Sequence, residues 1–379
     1  MSTATTYAWA GQVAEPGRIE EALRQAWRAE AARVPGTLAA RTNVLNLIVH
    51  TPSEAEGAQV AAAVEQLGIR HPSRTIIVVA DATASEQSIA AWVGTHVHQL
   101  PGSDRRLFFE QVTLAALGEA ANHLPPIIDP ILISELPDFL WWLHEPPFRA
   151  PAFSRMLDLV DRLIVDSATF ASPARAMHEL AELVVIPYGV ALSDFAWDRL
   201  RPWRELVAQF FDPPEYAPCL GAVTQVDIAY EPGGGERASG LSAGLLALGW
   251  LCSRLGWQVG GPPSREAQGS YRWALSAAGR TIEATLRPDH FPDHIIGPRR
   301  IALTSVEPHP CVFHAYRESD AHIATQIEGQ AESRLDRVLR ATEPKEDGLL
   351  LNALNQFGRD QMYDGAVVFA AQLGRGIED

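Results

Sequence analysis

Gly240-Leu241-Ser242-Ala243-Gly244 has the G-x-S-x-G spacing of a serine nucleophile elbow, the device of acyl-transfer hydrolases. That chemistry needs the serine on a sharp turn directly between a strand and a helix. Here the strand expected before it ends near Tyr230 and about ten loop residues intervene, which puts Ser242 in the first turn of a small-residue packing helix. Asp289, Asp293 and His309 lie downstream, at no spacing that singles them out as triad partners. The stretch just ahead imitates phosphate-binding loops. Gly233-Gly234-Gly235-Glu236-Arg237-Ala238 fits G-x-G-x-x-G/A, and Gly235 to Ser242 fits a Walker A pattern except that Leu241 stands where lysine should neutralise phosphate. No acidic residue follows at about twenty positions to take a ribose hydroxyl. Arg237 near a helix N-terminus remains a candidate for holding an anion. The plainer reading is a surface loop.

His309, Cys311 and His314 have the chemistry of zinc ligands, but on a strand Cys311 and His314 point to opposite faces, and three ligands do not close a structural site. His96 and His98 share a face and lack a third ligand. No metal and no cofactor is expected. Three other stretches carry the candidates for binding a partner or an anion. In His71-Pro72-Ser73-Arg74, Pro72 sets an extended entry to a strand, and Arg74 offers a planar donor fork to a carboxylate or phosphate; a turn that satisfies its own backbone is the alternative. Alternation along a strand sends Trp141 and Trp142 to opposite faces, so at least one packs in the core. Asp166 and Ser167 close an apolar strand, where they cap a helix or meet a ligand at the sheet's C-terminal edge.

The elements that must position these residues alternate between strand and helix. A helix is expected over Ile19 to Val34, a strand over Asn43 to Val49, and a helix from Ser53 to about Leu67 with Glu56 completing a capping box. A strand follows over Thr75 to Ala80, a helix over Ser85 to His98, and strands over Arg106 to Ala115, Phe139 to Leu143 and Leu163 to Val165. Helices run from Pro173 to Glu182 and from Pro202, the latter with Trp203, Leu206, Val207, Phe210 and Phe211 on one face, and Trp203 is a further candidate for meeting a partner. The pattern indicates a mostly parallel sheet flanked by helices over 39–212, with a helical lead-in over 1–38. Asp212-Pro213-Pro214 reads as a linker. Beyond it, a strand over Leu220 to Tyr230, a helix from Ser239 stopped by Gly256, alternating segments from Tyr271 to Gln326 and a helical end over Leu349 to Leu373 indicate an α+β domain at 215–379 with an antiparallel sheet.

Composition narrows the function class. The 379 residues are 47% hydrophobic and 20% charged, enough to bury large cores, and the formal charge of −15 argues against nucleic acid and anionic membranes as partners. Cys219, Cys252 and Cys311 form no C-x-x-C pair, Met1 to Gly11 lacks a secretory pattern, and Ala238 to Ser253 is too short to span a bilayer. A cytosolic protein is expected.

Taken in order, His71-Pro72-Ser73-Arg74, Leu136-Pro137-Asp138-Phe139-Leu140-Trp141-Trp142 and Asp161-Arg162-Leu163-Ile164-Val165-Asp166-Ser167 resemble the glucose-6-phosphate dehydrogenase assembly protein family. The resemblance extends to Arg41 through Val49, to Arg106 through Leu114 with Glu110 and Gln111, to Leu192 through Leu206 with Trp203, and to the helix Leu245 to Trp257. It implies a non-enzymatic partner of glucose-6-phosphate dehydrogenase that promotes its assembly or active state in the oxidative pentose phosphate pathway. Thiol-based control, linked to some relatives, finds no closely spaced cysteine pair here. Two other readings stand beside it: a regulatory protein that binds a sugar phosphate or nucleotide through the Gly233–Gly240 loop, and a hydrolase using Ser242.

Overall fold

The computed structural model describes residues 6–11, 14–33, 39–41, 43–68, 70–99, 106–187, 189–233, 240–290, 295–329 and 337–377. The chain packs as two compact units: residues 1–165 with 190–192 and 350–356, and residues 166–189, 193–349 and 357–379. Asp212-Pro213-Pro214 lies inside the second unit.

The first unit is built on a sheet of nine strands. These are β1 (Thr6–Gly11), β2 (Ala39–Arg41), β3 (Leu45–Thr51), β4 (Ser73–Asp81), β5 (Ser88–Gln99), β6 (Arg106–Leu117), β7 (Asp138–Trp142), β8 (Arg162–Val165) and β9 (Ala191–Asp194). Its helices are α1 (Pro16–Arg33), α2 (Glu54–Leu67), α3 (Pro125–Ile128) and α4 (Pro151–Leu157). The strands lie in the order β1-β5-β6-β4-β3-β7-β8-β9, with β2 beside β6. Neighbours from β6 to β8 are parallel, as continuous apolar runs such as Ile76-Ile77-Val78-Val79 predict. Leaving out the edge pieces β1, β2 and β5, the strands stand in the order 3-2-1-4-5-6 of a doubly wound dinucleotide-binding fold. The order reverses between β3 and β7.

One expected element changes type. Ser85 to His98 reads as a helix, yet residues 88–99 form β5, antiparallel to β6 along its full length. The alternation Ile89-Ala91-Val93-Thr95 has period two, and Gly94 weakens a helix, so the strand pairing wins. Residues 1–38 likewise hold a strand, β1, in addition to α1, and β1 pairs with β5.

The second unit carries α5 (Pro173–Val184), α6 (Phe195–Arg199), α7 (Arg201–Gln209), α8 (Ala217–Leu220), β10 (Val223–Tyr230), α9 (Leu241–Leu255), β11 (Gln258–Val259), β12 (Ser264–Arg265), β13 (Tyr271–Ala277), β14 (Arg280–Pro288), β15 (Pro298–Ser305), β16 (Cys311–Ser319), β17 (His322–Glu328) and β18 (Val338–Arg340). It is joined by α10 (Glu346–Leu354), in part, and α11 (Gln361–Leu373). The sheet order is β11-β13-β14-β10-β15-β16-β17-β18, antiparallel except for β10 beside β14. Along β13, Tyr271, Trp273, Leu275 and Ala277 are buried, while Arg272 turns outward to Glu283 at 3.0 Å. That alternation marks a sheet with one packed and one solvated face.

The packed side holds α9, whose Gly244 lies against Leu286 and Tyr230. Gly256 ends α9 in the left-handed conformation, as its position past the last apolar residue predicts. The helices α9 and α11 cross at backbone contact. A Cβ placed on Gly249 would stand 2.3 Å from the Ala366 carbonyl oxygen and 2.8 Å from the Ala370 nitrogen. Because both are main-chain atoms, relief requires separating the helices. Gly249→Ala is therefore expected to cost about 1–3 kcal/mol, measured by denaturant unfolding, and a neutral result would contradict this crossing.

Candidate functional site

One face of the first unit's sheet is organised in rows. Register places Asp138 of β7, Asn46 of β3, Arg74 of β4 and Glu110 of β6 side by side near the strands' N-terminal ends. Two residues further along the next row is apolar: Leu140, Ile48, Ile76 and Val112. Two further still, Trp142, His50, Val78 and Leu114 form the row nearest the C-terminal ends. The face thus has a polar end and an aromatic end.

At the polar end Arg74 is buried. Its Nε donates to Glu110 Oε2 at 2.8 Å, and its Nη1 donates to Glu20 of α1 and to the Ile131 carbonyl. Asn43 adds a 3.4 Å hydrogen bond to the same Glu110 oxygen. The Asn46 amide donates to Asp138 Oδ1 at 2.7 Å and to the Ile133 carbonyl, and its oxygen accepts from the Ile133 N–H. Burial, with Asp161 and Asp129 nearby, raises the Asp138 carboxyl to about 6 despite the Asn46 bond. The planar fork of Arg74, read as a possible anion holder, is thus committed to two carboxylates of its own unit. Ser73 is buried on the opposite face, its hydroxyl 3.0 Å from that of Thr75. His71, half-buried beside the row, is lowered by desolvation and Arg70 against a raising bond to Asn355.

The aromatic end sits where the strand order reverses. The imidazole of His50 stacks on Trp142 with ring centroids 3.6 Å apart and 8° between planes, and Phe153 of α4 meets Trp142 edge-on at 5.1 Å. These three rings, with Ala80, Leu124 and Met156, line a cavity of about 210 Å³. Burial and the neighbouring His144 push His50 down to about 4, so its ring is neutral at physiological pH. His50 Nδ1 is buried without a hydrogen-bond partner among the described residues. Beside the cavity, α2 begins as expected, with Ser53 Oγ accepting from the Glu56 N–H. The expected capping box is altered: the Ser53 N–H is met by Thr51 Oγ1, and the Glu56 carboxylate instead takes the Thr51 hydroxyl at 2.5 Å and His144 Nε2 at 2.9 Å. Burial works against ionisation of Glu56, yet Thr51 and His144 prevail and lower it.

The remaining candidates fall elsewhere. Trp141 is buried on the face opposite Trp142. In the second unit Asp166 caps a 3-10 turn at Ser167–Thr169 and holds Arg199 through both oxygens at 2.8 Å. The Ser167 N–H donates to Asp194, a carboxyl that burial and Asp166 raise to about 6. Trp203 is buried in α7, with the Arg317 guanidinium 5.8 Å from its ring centroid. Among these residues Ser73, Arg74, Trp141, Ser167 and Trp203 are buried. Arg237, with the rest of 234–239, lies outside the described residues.

Ser242 is fully buried as the second residue of α9, and its hydroxyl donates to the Ser167 carbonyl at 2.7 Å. A buried hydroxyl held inside a helix has no access to a substrate, so the hydrolase reading fails on access. No three potential metal ligands gather among the described residues. Cys219 and Cys311, 92 residues apart, meet with sulfurs at 3.9 Å, a proximity their spacing concealed. Burial first, then the facing sulfur, raises the Cys311 thiol and keeps it protonated. No described helix is long and apolar enough to cross a membrane. In the sequence Glu56 signals only a helix cap, and His50 and His144 signal nothing, because only the strand order reveals that β3 and β7 flank the reversal.

Residues 64–182 match the family described as the glucose-6-phosphate dehydrogenase subunit N-terminal domain, and residues 190–367 match the C-terminal domain of the same subunit. A protein of Nostoc punctiforme named "Putative OxPP cycle protein OpcA" is 30% identical over 321 residues, which is 82% of this chain and 66% of that protein. Its namesake in Synechocystis is 32% identical over 203 residues, 53% of this chain and 40% of its own length. The chain therefore spans two thirds or less of these relatives. Among solved structures, the transcriptional regulator Gal80p of Kluyveromyces lactis aligns at a TM-score of 0.47 and 10% identity over 88% of this chain and 89% of that one. A dehydrogenase (MviM) from Clostridium difficile aligns at 0.41 and 9% identity over 87% and 97%.

Proposed function

Since the chain belongs to the glucose-6-phosphate dehydrogenase assembly family, OpcA, we propose that it binds glucose-6-phosphate dehydrogenase and favours the enzyme's active oligomer, with no catalysis of its own. The observation that carries this reading is the match of both family domains, in order, across residues 64–182 and 190–367. A binding protein shifts an oligomer equilibrium only through a difference in affinity for the two states. It would therefore hold the active form more tightly than the inactive one, in the cytosol, at the entry to the oxidative pentose phosphate pathway. The acidic surface implied by a net charge of −15 favours an enzyme face carrying basic residues. Burial of Arg74, Trp141 and Trp203 directs attention away from those motif residues as direct contacts.

The test is the dehydrogenase from the same source, assayed for rate and for mass by light scattering with and without this protein. A rise in specific activity together with a co-migrating complex is the expected result. No complex and no change in rate at micromolar concentrations, under reducing and oxidising conditions alike, would count against the assembly role.

A further inference from the structure

The aromatic cavity at the strand-order reversal has the position of a ligand site and the wrong charge for the ligand usually found there. In sheets of this order, ligands enter the crevice beyond the C-terminal strand ends at the reversal, and a dinucleotide lays its pyrophosphate on the first helix N-terminus after a glycine-rich turn. Here that turn is Thr51-Pro52-Ser53-Glu54-Ala55-Glu56, without glycine. The Glu56 carboxylate occupies the first turn of α2, held there by Thr51 and His144. A phosphate brought to this helix would meet a fixed negative charge where it needs N–H donors.

The cavity itself is otherwise built to hold something. Its walls are His50, Trp142, Phe153, Leu124, Met156 and small alanines, and its volume is about 210 Å³. An apolar cavity of ~150 Å³ in another protein accommodates benzene, so this one has room for a fused pair of small rings.

We propose that this cavity is a binding site for a small, uncharged, planar ring compound, and that it excludes dinucleotides and sugar phosphates. Like-charge repulsion from Glu56 at the helix N-terminus supplies the discrimination against phosphates, and the His50–Trp142 stack supplies a rigid aromatic wall. The site would give the protein a way to sense a neutral metabolite, independently of whether the dehydrogenase is its partner.

The experiment is calorimetry on the full chain with indole as the probe, and with NADP⁺ and glucose 6-phosphate as competitors. Indole is expected to bind, with neither phosphorylated compound displacing it. Ala152→Leu and, independently, Ala121→Leu place new atoms in the cavity from two different segments. Each is expected to weaken indole at least about tenfold while leaving the thermal midpoint near that of the parent. Absence of indole binding at millimolar concentration overturns the proposal, as does binding that both filled variants retain. Displacement of indole by NADP⁺ or glucose 6-phosphate overturns the charge argument.

Discussion

Arg74→Ala is expected to destabilise the first unit by about 3–5 kcal/mol, the largest effect of any single substitution considered. The guanidinium is buried, as is Glu110, and it links β4 to β6, to α1 through Glu20 and to the 3-10 turn at Asp129–Ile131. Removing it leaves a buried carboxylate that has lost its cation, which costs far more than the loss of a solvent-exposed ion pair. The comparison that isolates the cause is Arg74→Met combined with Glu110→Leu. With both charges gone and similar volume kept, the double variant should recover most of the loss. Denaturant unfolding of the three proteins provides the free energies. A loss below about 1 kcal/mol in Arg74→Ala would place the pair in the class of surface ion pairs and sink the account of the polar row. Because Arg74 belongs to the His71-Pro72-Ser73-Arg74 motif, a destabilised variant would also lose any partner binding, so activity alone could not assign it a contact role.

His50 should make the first unit acid-sensitive. Its folded value near 4 lies below the ordinary 6.5, so the unfolded chain takes up the proton first as pH falls. Stability is then fully present above pH 6.5 and is lost between 6.5 and about 4, amounting to ~3 kcal/mol across that window. His50→Phe keeps an aromatic ring against Trp142 and removes the titration. Hydrogen exchange of the β3 and β7 amides is the measurement, since those strands carry the stack. The parent should lose more protection than the variant on acidification from pH 7 to 4. Identical pH profiles would show that His50 is not held neutral by its surroundings. Asp138, raised to about 6, acts in the opposite sense: its contribution falls as pH climbs from the unfolded value toward 6. The variant should therefore show that rising acid stability more plainly than the parent.

Much of the first unit could be read from the chain because its signals are local. Ser53 and Glu56 mark the start of α2 whatever the rest of the molecule does, and β3, β4, β7 and β8 stand out as short apolar runs between polar turns. The segment 88–99 departs from its local helical signal for a physical reason. Alanine-rich stretches suit a helix in isolation, and only the partner strand β6 decides otherwise. Of the candidate residues, Arg74 and Trp142 stand in the sequence as single points on separate motifs. What unites Asp138, Asn46, Arg74 and Glu110 is lateral register across four strands, with Asn46 and Asp138 92 positions apart in the chain. Nothing in local patterning encodes which residues become neighbours at that distance. The same holds for His50: at the end of a strand it reads as an ordinary polar terminus until β7 is known to lie beside it.

The backbone contact between Gly249 and Ala366 also has a meaning in time. During translation α9 leaves the ribosome well before residues 361–373 are made, so its glycine-notched flank waits for a helix that does not yet exist. A nascent chain halted ahead of Gln361 holds that flank open to chaperones and proteases, and the second unit closes only when α11 docks.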